Sequence, residues 1–330
     1  MAGFKWGIIS TGNIARKFAG TLSRMCGEAE LYAVSSRGTD NARAFADEFG
    51  ASKAYGSYEE LALDPDVQAV YIGTPHSCHY EDIMLCLSHG KHVLCEKSFT
   101  VNAAQAREAF AFAKEKGLFL MEAYWTRFTP GVVKLLDILQ SGEIGEVQMV
   151  TASYGFRNDA RRTRKFDPQL AGGALLDIGV YNISFAAMAL GYSLPEITSQ
   201  VRLNEMGTDA ASTVTLTYPG KRFAQISTAI QTVIPQSGVI AGSDGYIAVD
   251  SLNGPQRLEL VYNTGKSQVL EFPFEHTGFE YQIREVQSCV LSGKLQSDIR
   301  PPEHTIAVLD IMDSIRAQWG MSFPCEKGDI

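Results

Sequence analysis

The segment His92–Lys97 combines a short apolar run with two side chains that are suited to catalysis. It reads as a buried strand, Val93 to Cys95, that ends in Glu96 and Lys97. Open α/β sheets bind ligands beyond the carboxyl ends of their strands, so a carboxylate and an amine here are well placed for chemistry. A lysine at this position can contact both a cofactor and the group that is oxidised or reduced. The segment therefore favours an enzyme over a scaffold protein.

A second pair of reactive side chains, Asp177 and Tyr181, lies in a helical stretch of the sequence. Residues four apart on a helix project from the same face. A tyrosine can remove the proton of an alcohol as phenolate and return it as phenol. Its unperturbed pKa is about 10, and an ammonium about 4 Å away supplies much of the shift needed near neutrality. Lys97 is the predicted source of that charge, and Asp177 is assigned to orienting Lys97 or a substrate hydroxyl.

A glycine-containing turn follows the first predicted strand and opens the first predicted helix. Backbone amides at such a turn, together with the positive end of the helix, bind a pyrophosphate. Ser10 and Ala15 stand where the usual fingerprint has its outer glycines, so the turn is a weak signal that its position in a βαβ unit strengthens. The residues predicted to contact the cofactor here are Ser10, Thr11, Gly12, Asn13 and Ile14.

Two further strand ends complete the predicted cofactor site. The second strand ends at Ser36 and Arg37 without an acidic residue, and a guanidinium beside hydroxyls suits a 2′-phosphate, which favours NADP over NAD. Thr74 and His76 follow a later strand and are predicted to line the cofactor groove, as is Glu96. His76 and His79 lie three apart, but no further ligands stand at familiar spacings, so no metal site is predicted.

The order of the elements predicts two domains. Residues 1–123 alternate strands with helices, which indicates a Rossmann-type, doubly wound parallel sheet covered on both faces. The remainder, 124–330, predicts an α+β domain for substrate binding and oligomerisation, with a large, mostly antiparallel sheet. We predict strands at 4–10, 30–35, 68–73, 92–96, 118–122, 146–156, 196–204, 211–218, 222–231, 237–241, 246–250, 257–262 and 267–274. We predict helices at 103–116, 131–140, 172–190 and 303–318.

Composition narrows the class of protein. The 330 residues carry a net charge of −8, and 45% are hydrophobic. A mildly acidic chain without a basic run is a poor candidate for binding nucleic acid. The longest apolar run, Phe185–Leu190, is far too short to cross a bilayer, and no signal-peptide pattern is present. Six scattered cysteines without a framework spacing favour reduced thiols and a cytoplasmic protein.

Together these residues resemble the Gfo/Idh/MocA family of oxidoreductases over essentially the whole chain. The motifs that carry the resemblance are the turn 10–15, the segment 73–76, Cys95-Glu-Lys97 and the segment 172–181. Within the family, residues 122–128 and the tyrosine at 181 resemble the dihydrodiol dehydrogenase and NADP-dependent xylose dehydrogenase branch. The resemblance implies substrate contacts at Trp125, Phe156 and Phe279, and leaves open whether Tyr181 or Lys97 donates the proton.

The chain departs from the family pattern at two positions. Ser98 replaces the usual proline after Glu-Lys, so the family's strained turn at 97–98 is less expected here, because cis peptide bonds are essentially confined to proline. Tyr181 stands where much of the family has histidine, which changes the expected acid/base chemistry without removing it.

The sequence therefore predicts an NADP(H)-dependent oxidoreductase that interconverts a secondary alcohol or lactol with its carbonyl or lactone, on a sugar or cyclic diol. Relatives self-associate through the exposed sheet face, so a homodimer or homotetramer is expected. One alternative is a regulator that senses dinucleotides without catalysis. Another is a reductase of an anhydro-sugar or sugar phosphate, for which the basic run Arg161–Lys165 would bind the acidic substrate or the cofactor phosphates.

Overall fold

The computed structural model describes residues 3–158 and 164–326, which form two compact units that interleave along the chain. The first unit contains Met1–Thr100, Ala104–Tyr124 and Glu275–Pro302. The second contains Val101–Ala103, Trp125–Phe274 and Glu303–Ile330. The domain division drawn from the sequence, 1–123 and 124–330, stays a prediction.

The first unit is built on a six-stranded parallel sheet. Its strands are β1 (Phe4–Ile9), β2 (Ala29–Ser35), β3 (Lys53–Tyr55), β4 (Ala69–Ile72), β5 (His92–Glu96) and β6 (Leu120–Ala123). Their order is β3-β2-β1-β4-β5-β6, so the strand order reverses between β1 and β4, where open sheets of this type bind their ligands. The predicted Rossmann-type sheet is confirmed. Strand β3 was not predicted, because its three half-buried residues lack an apolar run.

The helices that follow these strands are α1 (Asn13–Leu22), α2 (Thr39–Phe49), α3 (Tyr58–Leu63), α4 (His79–Ser88) and α5 (Ala103–Lys116). Local signals set several of their ends. The Ser57 side chain accepts the Glu60 N–H at 3.2 Å and starts α3. Gly50, with φ at 75°, ends α2 in the left-handed conformation that glycine adopts without steric cost.

The second unit is built on a larger sheet behind the helices α6 (Pro130–Ser141) and α7 (Val180–Leu190). Its strands are β7 (Val147–Arg157), β8 (Glu196–Leu203), β9 (Asp209–Tyr218), β10 (Arg222–Ala229), β11 (Gln231–Gly242), β12 (Gly245–Val249), β13 (Arg257–Tyr262) and β14 (Ser267–Glu271). Their order is β14-β13-β12-β11-β7-β10-β9-β8, and every pair except β7–β10 is antiparallel. The predicted, mostly antiparallel sheet is confirmed.

Two helices lie beyond this sheet in the sequence. Helix α8 (Glu280–Leu291) belongs to the first unit and was not predicted. Helix α9 (Pro302–Gln318) lies almost entirely in the second unit, where a helix was expected.

The predicted helix at 172–190 is not uniform. A π-helical turn, Leu175–Gly179, precedes α7 and carries Asp177, while Tyr181 lies in the first turn of α7. Among the described residues, Pro168–Leu190 is the one helical segment whose length and composition would fit a membrane span, and 89% of its apolar window is buried. That burial is what a core helix of the second unit requires.

Candidate functional site

The turn between β1 and α1 presents backbone donors at a helix N-terminus. Gly12 is exposed, and a Cβ there would meet only the Ser10 side chain, at 3.4 Å. The Gly12 N–H donates to Ser10 Oγ at 3.1 Å, and Ser10 has φ at 105°. Ile14 packs against the end of β4, since a Cβ on Gly73 would lie 3.2 Å from Ile14 Cγ2. The turn is open enough for a phosphate to approach its amides.

The ends of β2 and β4 supply the next predicted cofactor contacts. Ser36 is buried and Arg37 is exposed directly beyond β2. Thr74 follows β4 and donates its hydroxyl to Asp82 Oδ2 at 2.6 Å. Burial raises the pKa of Asp82 to about 6, against the effect of this hydrogen bond. His76 is also buried, 7% exposed.

His79 connects the loops after β4 and β5. Its two ring nitrogens each lie 2.9 Å from a backbone carbonyl oxygen, those of Thr74 and Ser98. Burial lowers the pKa of His79 to about 4, so the imidazole is neutral near pH 7 and donates to one carbonyl at a time. Residues 3–158 and 164–326 contain no group of three or more side chains arranged to hold a metal ion. His79 therefore holds two loops together.

Glu96 and Lys97 lie at the carboxyl end of β5. Glu96 is 4% exposed and accepts the Tyr71 hydroxyl at 2.6 Å. Burial raises the pKa of Glu96, while the charge of Lys97 acts in the opposite direction. The Lys97–Ser98 peptide bond is cis although Ser98 is not proline. The expectation that serine makes the family turn less secure was therefore wrong.

Asp177 forms an ion pair that was not predicted. Asp177 is 8% exposed, and its Oδ2 lies 2.9 Å from Lys165 Nζ. The Lys165 ammonium also lies 4.1 Å from the centre of the Phe156 ring, a cation–π distance. Lys165 was considered only as part of a basic run, and nothing in its spacing from Asp177 indicated this pair. Arg161 and Arg162 of that run lie outside the described residues.

Tyr181 is surrounded by aromatic side chains of the second unit. Trp125 Nε1 donates to the Tyr181 hydroxyl at 3.3 Å, and the Tyr154 ring lies 6.1 Å away. Tyr154 in turn contacts Phe156 edge-on at 6.5 Å. Tyr154 was not predicted, although its alternation with Phe156 on one strand would have placed both on the same face. The structure thus brings Trp125, Phe156, Asp177 and Tyr181 together.

The remaining predicted residues belong to the first unit. Lys97 lies there with the cofactor residues, and Phe279 also belongs to it, although the sequence placed it in the substrate domain. Phe279 is 1% exposed, and its ring lies 4.1 Å from Lys17 Nζ. Each unit therefore holds a distinct part of the predicted site.

Comparison with protein families matches both parts of the chain. Residues 4–124 match the Gfo/Idh/MocA oxidoreductase family with an NAD-binding Rossmann fold. Residues 132–248 match the C-terminal domain of the same family.

Curated relatives match nearly the full length. Trans-1,2-dihydrobenzene-1,2-diol dehydrogenase from Mus musculus is 37% identical over 335 residues, covering 98% of this chain and 99% of the mouse protein. The Homo sapiens enzyme of the same name is 37% identical over 338 residues, with the same coverage of 98% and 99%.

Solved structures match the complete fold. KijD10, a 3-ketoreductase from Actinomadura kijaniata solved with NADP and TDP-benzene, superposes with a TM-score of 0.87 at 28% identity, covering 96% of this chain and 98% of that one. Aldose-aldose oxidoreductase from Caulobacter crescentus, complexed with glycerol, also gives 0.87, at 22% identity and 97% and 99% coverage. The latter likeness concerns the fold alone.

Proposed function

The chain belongs to the Gfo/Idh/MocA oxidoreductase family, and from this premise we propose that it interconverts a secondary alcohol or lactol with its carbonyl or lactone, using NADP(H), on a sugar or cyclic diol. The proposal rests on how the residues are grouped. One unit holds Tyr181, Asp177 and an aromatic surface, and the other holds Lys97 and strand ends suited to binding a dinucleotide. The bound dinucleotide would accept or supply the hydride.

The first unit supports NADP(H) as the cofactor. We assign the pyrophosphate to the open amides at Ser10–Ile14, at the point where the strand order of the sheet reverses. We assign the 2′-phosphate to Arg37 and Ser36, because the end of β2 offers a guanidinium and a hydroxyl and no carboxylate. Thr74, His76, Glu96 and Lys97 are proposed to line the rest of the dinucleotide site. The structure of KijD10 with NADP is consistent with this choice.

The acid/base step is assigned to Tyr181 and Lys97. Oxidation requires a base that removes the hydroxyl proton as the hydride leaves the carbon that bears the hydroxyl. Reduction requires the same group to act as an acid. The hydrogen bond from Trp125 Nε1 helps to hold the Tyr181 hydroxyl in place. A second assignment, with Lys97 as the donor and Tyr181 as the group that orients it, stays open. Asp177 orients a lysine or a substrate hydroxyl in either case.

The aromatic surface and the names of the relatives support the substrate class. Trp125, Tyr154 and Phe156 offer ring faces that suit the apolar side of a sugar ring or a cyclic diol. The relatives are named for a cyclic diol, and KijD10 is described as a 3-ketoreductase. We therefore propose monosaccharides and cyclic diols as substrates. The described part of the basic run does not favour a sugar phosphate, since Lys165 pairs with Asp177.

We further propose a cytoplasmic homodimer or homotetramer. In the described residues the six cysteines form no disulfide, as expected of a protein in a reducing compartment. On one face of the large sheet, Phe223, Met149 and Tyr246 are exposed by 39%, 37% and 39%. They fall on one row across the strands, because Phe223 pairs with Met149, Met149 with Ala241, and Ala241 with Tyr246. An exposed apolar row of this kind suits self-association.

A fluorescence titration with NADPH and NADH, followed by a panel of aldoses and cyclic diols with NADP, tests the proposal. We expect tighter binding of NADPH and turnover of at least one panel member. Tight binding without turnover would support the dinucleotide-sensing alternative. Failure to bind either nucleotide would contradict the assignment of the turn at Gly12.

The variant Lys97→Met tests the role of Lys97 directly. It removes the ammonium but keeps a side chain of similar length, so we expect NADPH binding to be mostly retained and turnover to be lost. Lys114→Met, on the exposed face of α5, is the matched control and should retain turnover. Turnover that persists in Lys97→Met would overturn the assignment.

A further inference from the structure

Asp209 is a carboxylate with no exposed surface, and the roles assigned so far do not use it. It begins β9 and is 0% exposed. Its Oδ2 accepts the Leu175 N–H at 2.6 Å, and the Ala174 amide is a further hydrogen-bond donor to it. Leu175 begins the π-helical turn, and Ala174 makes no side-chain cap of its own. The first turn of the segment is therefore capped from a neighbouring strand.

The lack of a side chain at Gly173 leaves room for this carboxylate. Gly173 has φ at +133°, and a Cβ there would lie 2.0 Å from Asp209 Oδ1. The Gly173 carbonyl accepts the Asp177 N–H at 3.2 Å, and the Gly173 N–H donates to the Lys165 carbonyl at 2.8 Å. Asp209 thus lies against Gly173, whose backbone forms hydrogen bonds with the backbones of both Asp177 and Lys165.

A buried carboxylate caps a helix at a cost in free energy, because burial disfavours its charged form. Burial raises the pKa of Asp209 to about 7, although backbone amides and the charge of Arg316 act in the opposite direction. A half-buried serine caps α3 without burying a charged group. The cost is explained if the position of the segment matters more than the stability that the cap contributes.

We propose that Asp209 is a positioning residue that fixes the segment 173–181, and through it the side chains of Asp177 and Tyr181. The inference rests on the proposed function for its effect on turnover, but its structural part stands apart from it. Small displacements of a reacting group cost large factors in rate, about 10²-fold for a shift of about 1 Å. The effect of losing Asp209 should therefore appear in kcat, while cofactor binding, which belongs to the first unit, should not change.

The test compares Asp209→Ala and Asp209→Asn with a matched cap elsewhere. The control is Ser57→Ala, which removes the hydroxyl that accepts the Glu60 N–H at 3.2 Å and starts α3, a helix that carries no proposed catalytic residue. All variants are assayed at a temperature where circular dichroism shows them fully folded. We expect kcat to fall about 10²-fold in Asp209→Ala and less in Asp209→Asn, whose amide oxygen can still accept the Leu175 N–H. NADPH affinity should stay unchanged, and Ser57→Ala should keep its turnover.

Hydrogen exchange provides a readout that does not depend on activity. In either Asp209 variant the amides of residues 174–181 should exchange at least about tenfold faster than in the unaltered protein, and Ser57→Ala should leave them unchanged. If Asp209→Ala does not fold, Asp209→Asn carries both measurements. Unchanged exchange, or equal losses of turnover in the Asp209 variants and in Ser57→Ala, would overturn the inference. Absence of turnover in the unaltered protein would instead refute the proposed function, and exchange would still decide the role of Asp209.

Discussion

At the scale of single residues, Arg37 is the side chain that we propose distinguishes NADP(H) from NAD(H). It is exposed beyond β2, next to the buried Ser36, and no carboxylate stands at that strand end to bind a ribose 2′-hydroxyl. A guanidinium binds a phosphate through charge-assisted hydrogen bonds, which are about twice as strong as neutral ones. Its contribution should therefore appear only with the phosphorylated cofactor.

We predict that Arg37→Ala weakens NADPH binding by about 10- to 10²-fold, which corresponds to about 1.5–3 kcal/mol for hydrogen bonds to a charged group. NADH binding should change little, because NADH has no 2′-phosphate. Dissociation constants from fluorescence titration check the prediction, with Arg43→Ala on the exposed face of α2 as the control. Equal weakening for both dinucleotides would refute the assignment of Arg37.

At the scale of elements, the β1–α1 turn contains a serine in a conformation that favours glycine. Ser10 has φ at 105°, a region that costs a residue with a Cβ about 1 kcal/mol or more. Its hydroxyl accepts the Gly12 N–H at 3.1 Å, and this hydrogen bond offsets part of the backbone strain. The side chain and the backbone of Ser10 therefore act on stability in opposite directions.

These opposing effects predict an order of stability. Ser10→Ala loses the hydrogen bond and keeps the strained backbone, so its free energy of unfolding should fall by about 1 kcal/mol. Ser10→Gly loses the same bond but relaxes the backbone, so it should be more stable than Ser10→Ala by about 1 kcal/mol. Urea unfolding of the two variants measures the difference. An alanine variant as stable as the glycine variant would show that this conformation carries no strain.

At the scale of the whole molecule, the exposed row of Phe223, Met149 and Tyr246 on the large sheet is the surface through which we propose that the protein self-associates. We predict that the protein is a dimer or tetramer at micromolar concentration and that Met149→Lys, in the middle of the row, shifts it to monomer by introducing a charge into an apolar contact. Light scattering after size exclusion measures the mass. Leu63→Lys, at a site 60% exposed in the first unit, is the control and should not change it. A monomeric unaltered protein would refute the proposed assembly.

The pH dependence of stability is also a property of the whole molecule, to which buried carboxyls contribute. The pKa of Asp82 is raised by burial from 3.8 to about 6, so the folded protein holds a proton that the unfolded chain has released. The stability associated with Asp82 is fully present below pH 4 and is lost as the pH rises through about 6. The shift of about two units corresponds to about 3 kcal/mol.

We therefore predict that Asp82→Asn gains stability relative to the unaltered protein between pH 4 and pH 8, because the variant has no carboxyl to ionise. The difference in the free energy of unfolding, measured in urea at a series of pH values, isolates this group from the others that titrate. Asp47→Asn, on the exposed face of α2, is the control. A constant difference between Asp82→Asn and the unaltered protein across this range would contradict the prediction.

The sequence by itself determined the architecture and the location of the candidate residues. Strand-helix alternation and short apolar runs are local patterns, and the two sheets confirm the strands that they predict. Local patterns succeed here because periodicity and turn chemistry act over a few residues. They also placed Asp177 and Tyr181 on one helical segment.

Only the tertiary structure decided what surrounds those side chains. Asp209 meets Leu175 across 34 positions of sequence, and Tyr181 meets Trp125 across 56. Lys165 reaches Asp177 because of the course of the loop that carries it. The Lys97–Ser98 peptide bond is cis, although a bond that precedes serine is almost always trans. Such contacts depend on burial and on packing between distant segments, and neither leaves a periodic signal in the chain.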